Sequence, residues 1–260
     1  MEITFLVENN SRIDRYLLAE PALSIFIETE GKKILFDCGY SDVFIKNAWK
    51  LSVNLENITD IVISHGHDDH TGGLKFLNLK NKNIKLTAHP NIFDSKTDSN
   101  NIFYGCPVTK TTLEQQFILN LTRAPYFLTK NLCFLGQIEN NSSKDIDDSA
   151  LVYKSAKGLV IITGCSHSGI INIIEYAKKV TGSNKIFAIV GGLHLLDMEK
   201  SKIKEITSYL KKEKVKFLYP CHCCDLNSKI VMAQELEIKE VCSGDKISSV
   251  SYTHLRAHET

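Results

Sequence analysis

Ser64-His65-Gly66-His67-Asp68-Asp69-His70-Thr71-Gly72-Gly73 follows directly on the apolar run Ile61-Val62-Ile63. Three imidazoles and two carboxylates share six consecutive positions, an arrangement of little value to a fold, because the like charges repel unless a cation sits among them. Imidazole suits zinc, iron, nickel or copper, and the carboxylate oxygens extend the choice to manganese. Gly66 is expected to let the backbone turn so that His65 and His67 point at one ion. Asp69 and His70 then project toward a second, and Thr71-Gly72-Gly73 is expected to open the following helix.

Four further stations share this logic, an apolar strand delivering polar groups at its end. Phe36-Asp37-Cys38-Gly39 is the first. Ile161-Ile162-Thr163-Gly164-Cys165-Ser166-His167-Ser168-Gly169, Val190-Gly191-Gly192-Leu193-His194 and Tyr219-Pro220-Cys221-His222-Cys223-Cys224-Asp225 follow. When each strand end carries a His or an Asp, the strands are expected to aim at one pocket.

Outward from these stations, short β-branched runs alternate with helical patterns. The strands expected are 3–7, 23–28, 33–36, 60–64, 84–88, 132–135, 151–154, 159–163, 186–190 and 216–219. The helices expected are 42–50, 169–180, 199–212 and 226–236, with Ile170, Ile173, Ile174 and Ala177 on one face of the second. This is an α/β or α+β chain whose sheets are covered by helices. The polar text of 91–130 reads as an excursion from the core over the active face. One domain over 1–247 is the simplest organisation. The closing SYTHLRAHET breaks with the style of the rest, so 248–260 reads as a non-native or disordered tail, which removes His254 and His258 from the ligand candidates.

Lys+Arg 31 against Asp+Glu 30 gives a net charge of +1, so no global field favours nucleic acid or an anionic membrane. The lysine-rich stretch 200–216 reads as a solvated helix face. No apolar run approaches the roughly 20 residues of a membrane span. The opening MEITFLVENN has a strand pattern where a signal peptide would carry a basic start, so a cytoplasmic location is expected. The eight cysteines lack the density of a stapled secreted domain and read as reduced thiols. Cys221, Cys223 and Cys224 lie too close together to form a zinc knuckle and read as small, partly buried strand-end residues.

SHGHDDHTGG resembles the HxHxDH motif of the metallo-β-lactamase fold. With FDCG before it and GCSHSG, VGGLHL and PCHC after it, residues 2 to 247 resemble the subfamily labelled dihydropterin ribofuranosyl-aminobenzene-phosphate synthases. The resemblance implies a four-layer αββα sandwich. It implies His65 and His67 as ligands to a first metal, Asp69 and His70 as ligands to a second, and His222 as the late histidine that completes the second site. Asp37 matches an aspartate that hydrogen-bonds within the metal loop, and Asp68 stands at a variable position outside the coordination shell. The chain departs from the family where many members carry a Gly-Asp whose carboxylate bridges the metals. Here the text is Gly164-Cys165-Ser166-His167, so His167 is taken as a direct ligand, and Cys165 or Asp148 is the candidate to replace the bridge. Asp147-Asp148-Ser149 reads equally as an exposed turn. His194 has two readings, a group at the pocket mouth that contacts phosphate or donates a proton, and a buried structural histidine. His89 reads as structural.

Asp69 and His194 are the candidate catalytic residues. The cofactors expected are two divalent ions, zinc first, with manganese or iron as alternatives. A metal that lowers the pKa of bound water points to hydrolysis of a small phosphoester or ester, possibly pterin-like. No GxSxG elbow competes with that chemistry. The alternatives are a metal-dependent ligand sensor without catalysis and a redox iron protein on the same fold. The partner expected is a phosphate-bearing small molecule, with no nucleic acid and no membrane.

Overall fold

The computed structural model describes residues 1–139 and 145–248. Thus 249–260, most of the expected tail, with His254 and His258, lies outside the described residues. The chain divides into two compact units, one of residues 1–121 with the segment from Val241 onward, the other of Thr122–Glu240. Each holds one mixed sheet with helices, a mixed α/β architecture.

In the first unit seven strands run in the order Lys246–Ser248, Glu2–Val7, Ser24–Thr29, Lys32–Phe36, Asp60–Val62, Lys85–Ala88 and Ile118–Leu121. The first four are antiparallel neighbours and the last four are parallel. Ser24–Thr29 and Lys32–Phe36 are joined by Glu30 and Gly31, both at positive φ, the two-residue geometry that matches the twist of a hairpin. The helix Val43–Lys50 makes the crossover that parallel pairing requires between Lys32–Phe36 and Asp60–Val62. The core gathers Leu6, Phe26, Leu35, Phe44, Ile61, Leu86 and their neighbours.

In the second unit six strands run Phe217–Pro220, Ile186–Gly191, Gly158–Thr163, Ala150–Ser155, Leu132–Phe134 and Tyr126–Phe127, the first three parallel and the rest antiparallel. Gly158–Thr163 and Ile186–Gly191 are buried at every position, which is why they read as continuous apolar runs instead of alternating ones. Ile170–Thr181 buries Ile170, Ile173, Ile174 and Ala177 and stops at Gly182 in the left-handed conformation. Lys200–Lys212 buries only Ile203, Thr207 and Leu210 and leaves its lysines outside.

Three expectations need correction. The stretch 91–130 is an excursion only in part: Ile92, Val108, Leu113 and Phe117 belong to the first core, Ile118–Leu121 is a sheet strand and Tyr126–Phe127 is another, while Tyr104 and Gly105 lie against His67. Its apolar residues are too widely spaced among polar ones to show a period. Thr71-Gly72-Gly73 does not open a helix: Asp68–Thr71 is already helical, with His67 at the N-cap position, and Gly72–Lys75 continues as a 3-10 turn. Ser248 is no part of a tail, since it pairs with Glu2 in the first sheet. Among the described residues no helix is long and apolar enough to cross a membrane.

Candidate metal centre

Two of the first unit's donors, His65 and His70, are held by one carboxylate. Asp37 is fully buried at the end of Lys32–Phe36, in the left-handed region at φ 56°. Its Oδ1 accepts the Ser64 backbone N–H at 2.7 Å, and its Oδ2 accepts the Ser64 hydroxyl and His70 Nδ1, each at 2.7 Å. Having given its proton to Asp37, Ser64 Oγ is left to accept from His65 Nδ1 at 2.9 Å. That network assigns the Nδ1–H tautomer to both His65 and His70 and leaves each Nε2 with its lone pair outward, as a metal ligand requires. His65 and His70 are fully buried, with ring centroids 4.2 Å apart.

His67 is half-buried, its centroid 4.4 Å from that of His65. The Tyr104 ring meets it edge to face, with centroids 4.9 Å apart and planes at 82°. Ligand atoms of His65 and His67 lie within 4.8 Å of each other, as do those of Asp69 and His70. Gly66 is required for a reason other than the expected turn, since its φ is not positive. A Cβ there would stand 2.3 Å from the Ile92 carbonyl oxygen, so only glycine admits that close approach. Asp68 is half-buried, and its carboxyl is pushed up by burial and then by Asp69.

The second unit places its donors at strand ends. Cys165 and His222 are buried, with ligand atoms within 4.8 Å of each other. His167 is half-buried, its Nδ1 3.6 Å from Asp145 Oδ2 and its ring centroid 4.5 Å from that of His194. His194 is exposed, which removes the reading of a buried structural histidine. Ser166, His194 and His222 all stand at positive φ, from 53° to 68°. Such conformations are uncommon outside glycine and cluster where a side chain must be aimed. Ser166 and His194 are held from behind: Ser166 Oγ donates to the Gly192 carbonyl, which also accepts from Thr163 Oγ1, and the His194 N–H donates to Cys223 Sγ at 3.2 Å.

Asp148 is buried, not on an exposed turn. Its Oδ2 accepts the Ser168 N–H at 2.8 Å, while its buried Oδ1 has no partner, and burial pushes the carboxyl up to about 7 against the pull of Ser168. Asp147 and Ser149 beside it are buried as well. His89 accepts the Asn91 N–H and caps the short helix Pro90–Phe93, a structural role. All eight cysteines are free thiols. Cys223 and Cys224 are pushed up mainly by burial, and both accept backbone N–H groups, which suits neutral packing residues. Sequence reasoning missed Ser64, Tyr104 and Asp145. The position of Ser64 beside His65 was a usable signal; Tyr104 and Asp145 reach the histidines only through folding.

The donor set within each unit, imidazole with carboxylate in one and imidazole with thiol in the other, suits a borderline divalent cation. Residues 18–130 match the family model of the metallo-beta-lactamase superfamily. The chain is 29% identical to the 7,8-dihydropterin-6-methyl-4-(beta-D-ribofuranosyl)-aminobenzene-5'-phosphate synthase of Methanocaldococcus jannaschii, covering 91% of this chain and 92% of that one. It is 28% identical to Tm1679, a solved metal-dependent hydrolase of the beta-lactamase superfamily, with a TM-score of 0.83 over 95% of this chain and 98% of that one. Zinc-bound PqqB from Methylobacterium extorquens shares the fold at 11% identity, TM-score 0.59, over 95% of this chain and 100% of that one.

Proposed function

This chain has the metallo-β-lactamase fold, and from that premise we propose that it is a binuclear metal-dependent hydrolase of a small phosphoester or ester. The observation that carries the reading is the Asp37–Ser64 network, which fixes two histidine tautomers with their metal-binding nitrogens outward. In this proposal His65, His67, Asp69 and His70 would serve as metal ligands in the first unit and His167 and His222 in the second, where Cys165 would take the place of the missing carboxylate. Two divalent ions, zinc first with manganese or iron as alternatives, would supply Lewis-acid polarisation and a water whose pKa falls from about 15.7 toward about 7.

The protein's own groups do the rest. Asp37 keeps the protons of His65 and His70 on Nδ1, so neither imidazole has to change tautomer when a cation arrives. Asp145 Oδ2 stands 3.6 Å from His167 Nδ1, close enough to favour a positive charge on that ring. Asp69, half-exposed beside His70 Nε2, is the carboxylate that holds a proton taken from the attacking water. His194, exposed and aimed by its backbone, donates a proton to the leaving-group oxygen. The substrate is phosphate-bearing, as the product named for the M. jannaschii relative is. Free thiols throughout suit a reducing, cytoplasmic setting.

Elemental mass spectrometry of untagged protein, run beside turnover of bis-p-nitrophenyl phosphate with zinc, manganese and iron added back, tests the reading. About two ions per chain and metal-restored turnover are expected. One ion or none, with no turnover under any metal, would overturn it in favour of a ligand sensor.

A further inference from the structure

We infer that the apolar groove at the C-terminal end of Val43–Lys50 is the contact face of a symmetric dimer, filled by Trp49 of a second copy of this chain. Such a pairing would hold whether or not the chain is a hydrolase. The groove, in the first unit and apart from the donors proposed for metal, holds about 460 Å³. Ala48, Leu77 and Leu79 form its buried floor, and Ile45, Leu55 and Phe76 its walls. Trp49, the only tryptophan of the chain, stands at its rim 81% exposed, and Phe76 is 48% exposed. Tryptophan is among the residues most enriched at the centres of protein interfaces, because an indole left in water forgoes a large apolar burial.

The occupant follows from the shape. A knob and the hole it borders lie on one face, so a two-fold axis beside Trp49 seats each indole in the other copy's groove, the self-complementary arrangement that an isologous contact requires. The hole is held in form by its backbone. Ser52 at φ 58° turns the chain at the helix end, the Val53 N–H donates to the Ala48 carbonyl at 2.8 Å, and the Lys80 N–H ties the far wall to Glu56 Oε2 at 3.2 Å. Charge fits the same pairing. Lys50 follows Trp49 on the helix and Glu56 lines the far wall, so carrying Trp49 across brings Lys50 to the partner's Glu56. Lys50 Nζ donates to the Tyr16 carbonyl and keeps further donors for that contact. A net charge of +1 leaves no field to hold two copies apart. Two aromatic rings with the aliphatic walls supply on the order of 600 Å² per copy, or about 1,200 Å² in all, the lower edge of specific interfaces. That size fits a dissociation constant on the order of 10 µM.

Sedimentation velocity of the full chain over concentrations that bracket that value, run beside the emission of Trp49 and its quenching by acrylamide, tests the pairing. The mass should move from one chain to two, while emission shifts to the blue and quenching falls over the same range. Because the chain holds no other tryptophan, the optical signal comes from the proposed contact alone. Trp49→Ala should weaken association by about 100-fold or more. Asn78→Arg places a charge at an exposed position of the groove lining and should weaken it by about tenfold, with emission left at that of an exposed indole. Lys50→Glu and Glu56→Lys should each weaken it by about tenfold, and the two together should recover most of the loss. All four positions are exposed, so the variants are expected to fold. A dimer that survives both Trp49→Ala and Asn78→Arg, or that forms with no change in Trp49 emission, overturns the proposal, as do assemblies that grow past two copies. A chain that stays single at every concentration overturns it too; if its groove then takes up the dye anilinonaphthalene sulfonate, and Asn78→Arg abolishes that uptake, the occupant is an apolar small molecule.

Discussion

The histidine loop of the first unit and the strand ends of the second deliver the same kinds of donor by different physical means. In the first, one buried carboxylate takes three hydrogen bonds and passes order to two imidazoles, so aim comes from side-chain chemistry. In the second, Ser166, His194 and His222 stand in the left-handed region, and aim comes from the backbone, locked at Ser166 and His194 by bonds to Gly192 and Cys223. A network of the first kind fails when one atom changes. A backbone-set donor tolerates substitution of its side chain with little loss of fold, because what holds it is the chain behind it.

The contrast can be broken hardest at Asp37. Asp37→Asn keeps the backbone, because asparagine tolerates positive φ, but it replaces one accepting oxygen with an NH2 donor that faces donors. Each stranded buried donor costs about 1–3 kcal/mol, and metal affinity should fall about 10–100-fold. Urea unfolding and a metal titration measure the two losses, and an unchanged affinity would remove Asp37 from its positioning role. His67→Ala comes next. His67 is half-buried and outside the Asp37 network, so metal at its site and turnover should be lost while the metal-stripped protein unfolds within about 1 kcal/mol of the parent.

Asp148 sharpens the comparison through pH. Burial lifts its folded pKa to about 7, above its ordinary value of about 3.9. Between those values the unfolded chain is ionised while the folded one keeps its proton. The stabilisation is therefore complete below about pH 4 and is lost as pH rises through 7, at up to about 1.4 kcal/mol per pH unit. Denaturation of the metal-stripped protein across that range should show the slope, and Asp148→Asn should flatten it. The smallest effect is expected at His194→Gly: relief of the positive φ offsets the added chain entropy, and stability stays within about 0.5 kcal/mol. A thermal melt checks this, and a large loss would mean that the ring is holding the fold.

Much of this was legible before folding. The ten strand runs and four helices all appear in the structure, because their apolar periods are long enough to outvote noise. The edge strands Ile118–Leu121, Tyr126–Phe127 and Lys246–Ser248 were not, since an edge strand of two to four residues owes its existence to a partner strand and not to its own pattern. At the site, the crowding of His65, His67, Asp69 and His70 pointed to a divalent cation on electrostatic grounds alone, and the fold gathers those side chains as such a site requires. Asp145 gave no such signal, because a lone aspartate in a polar stretch is ordinary text until the chain brings it to His167.

What the amino-acid sequence determined by itself is the candidate ligand set of the histidine loop, because those side chains are neighbours by covalent connection and need no fold to bring them together. What only tertiary structure decided is which nitrogen of His65 and of His70 is left for a cation and which ring stands against His67. Those depend on contacts between residues far apart in the chain, Asp37 with His70 and Tyr104 with His67, which no local pattern encodes.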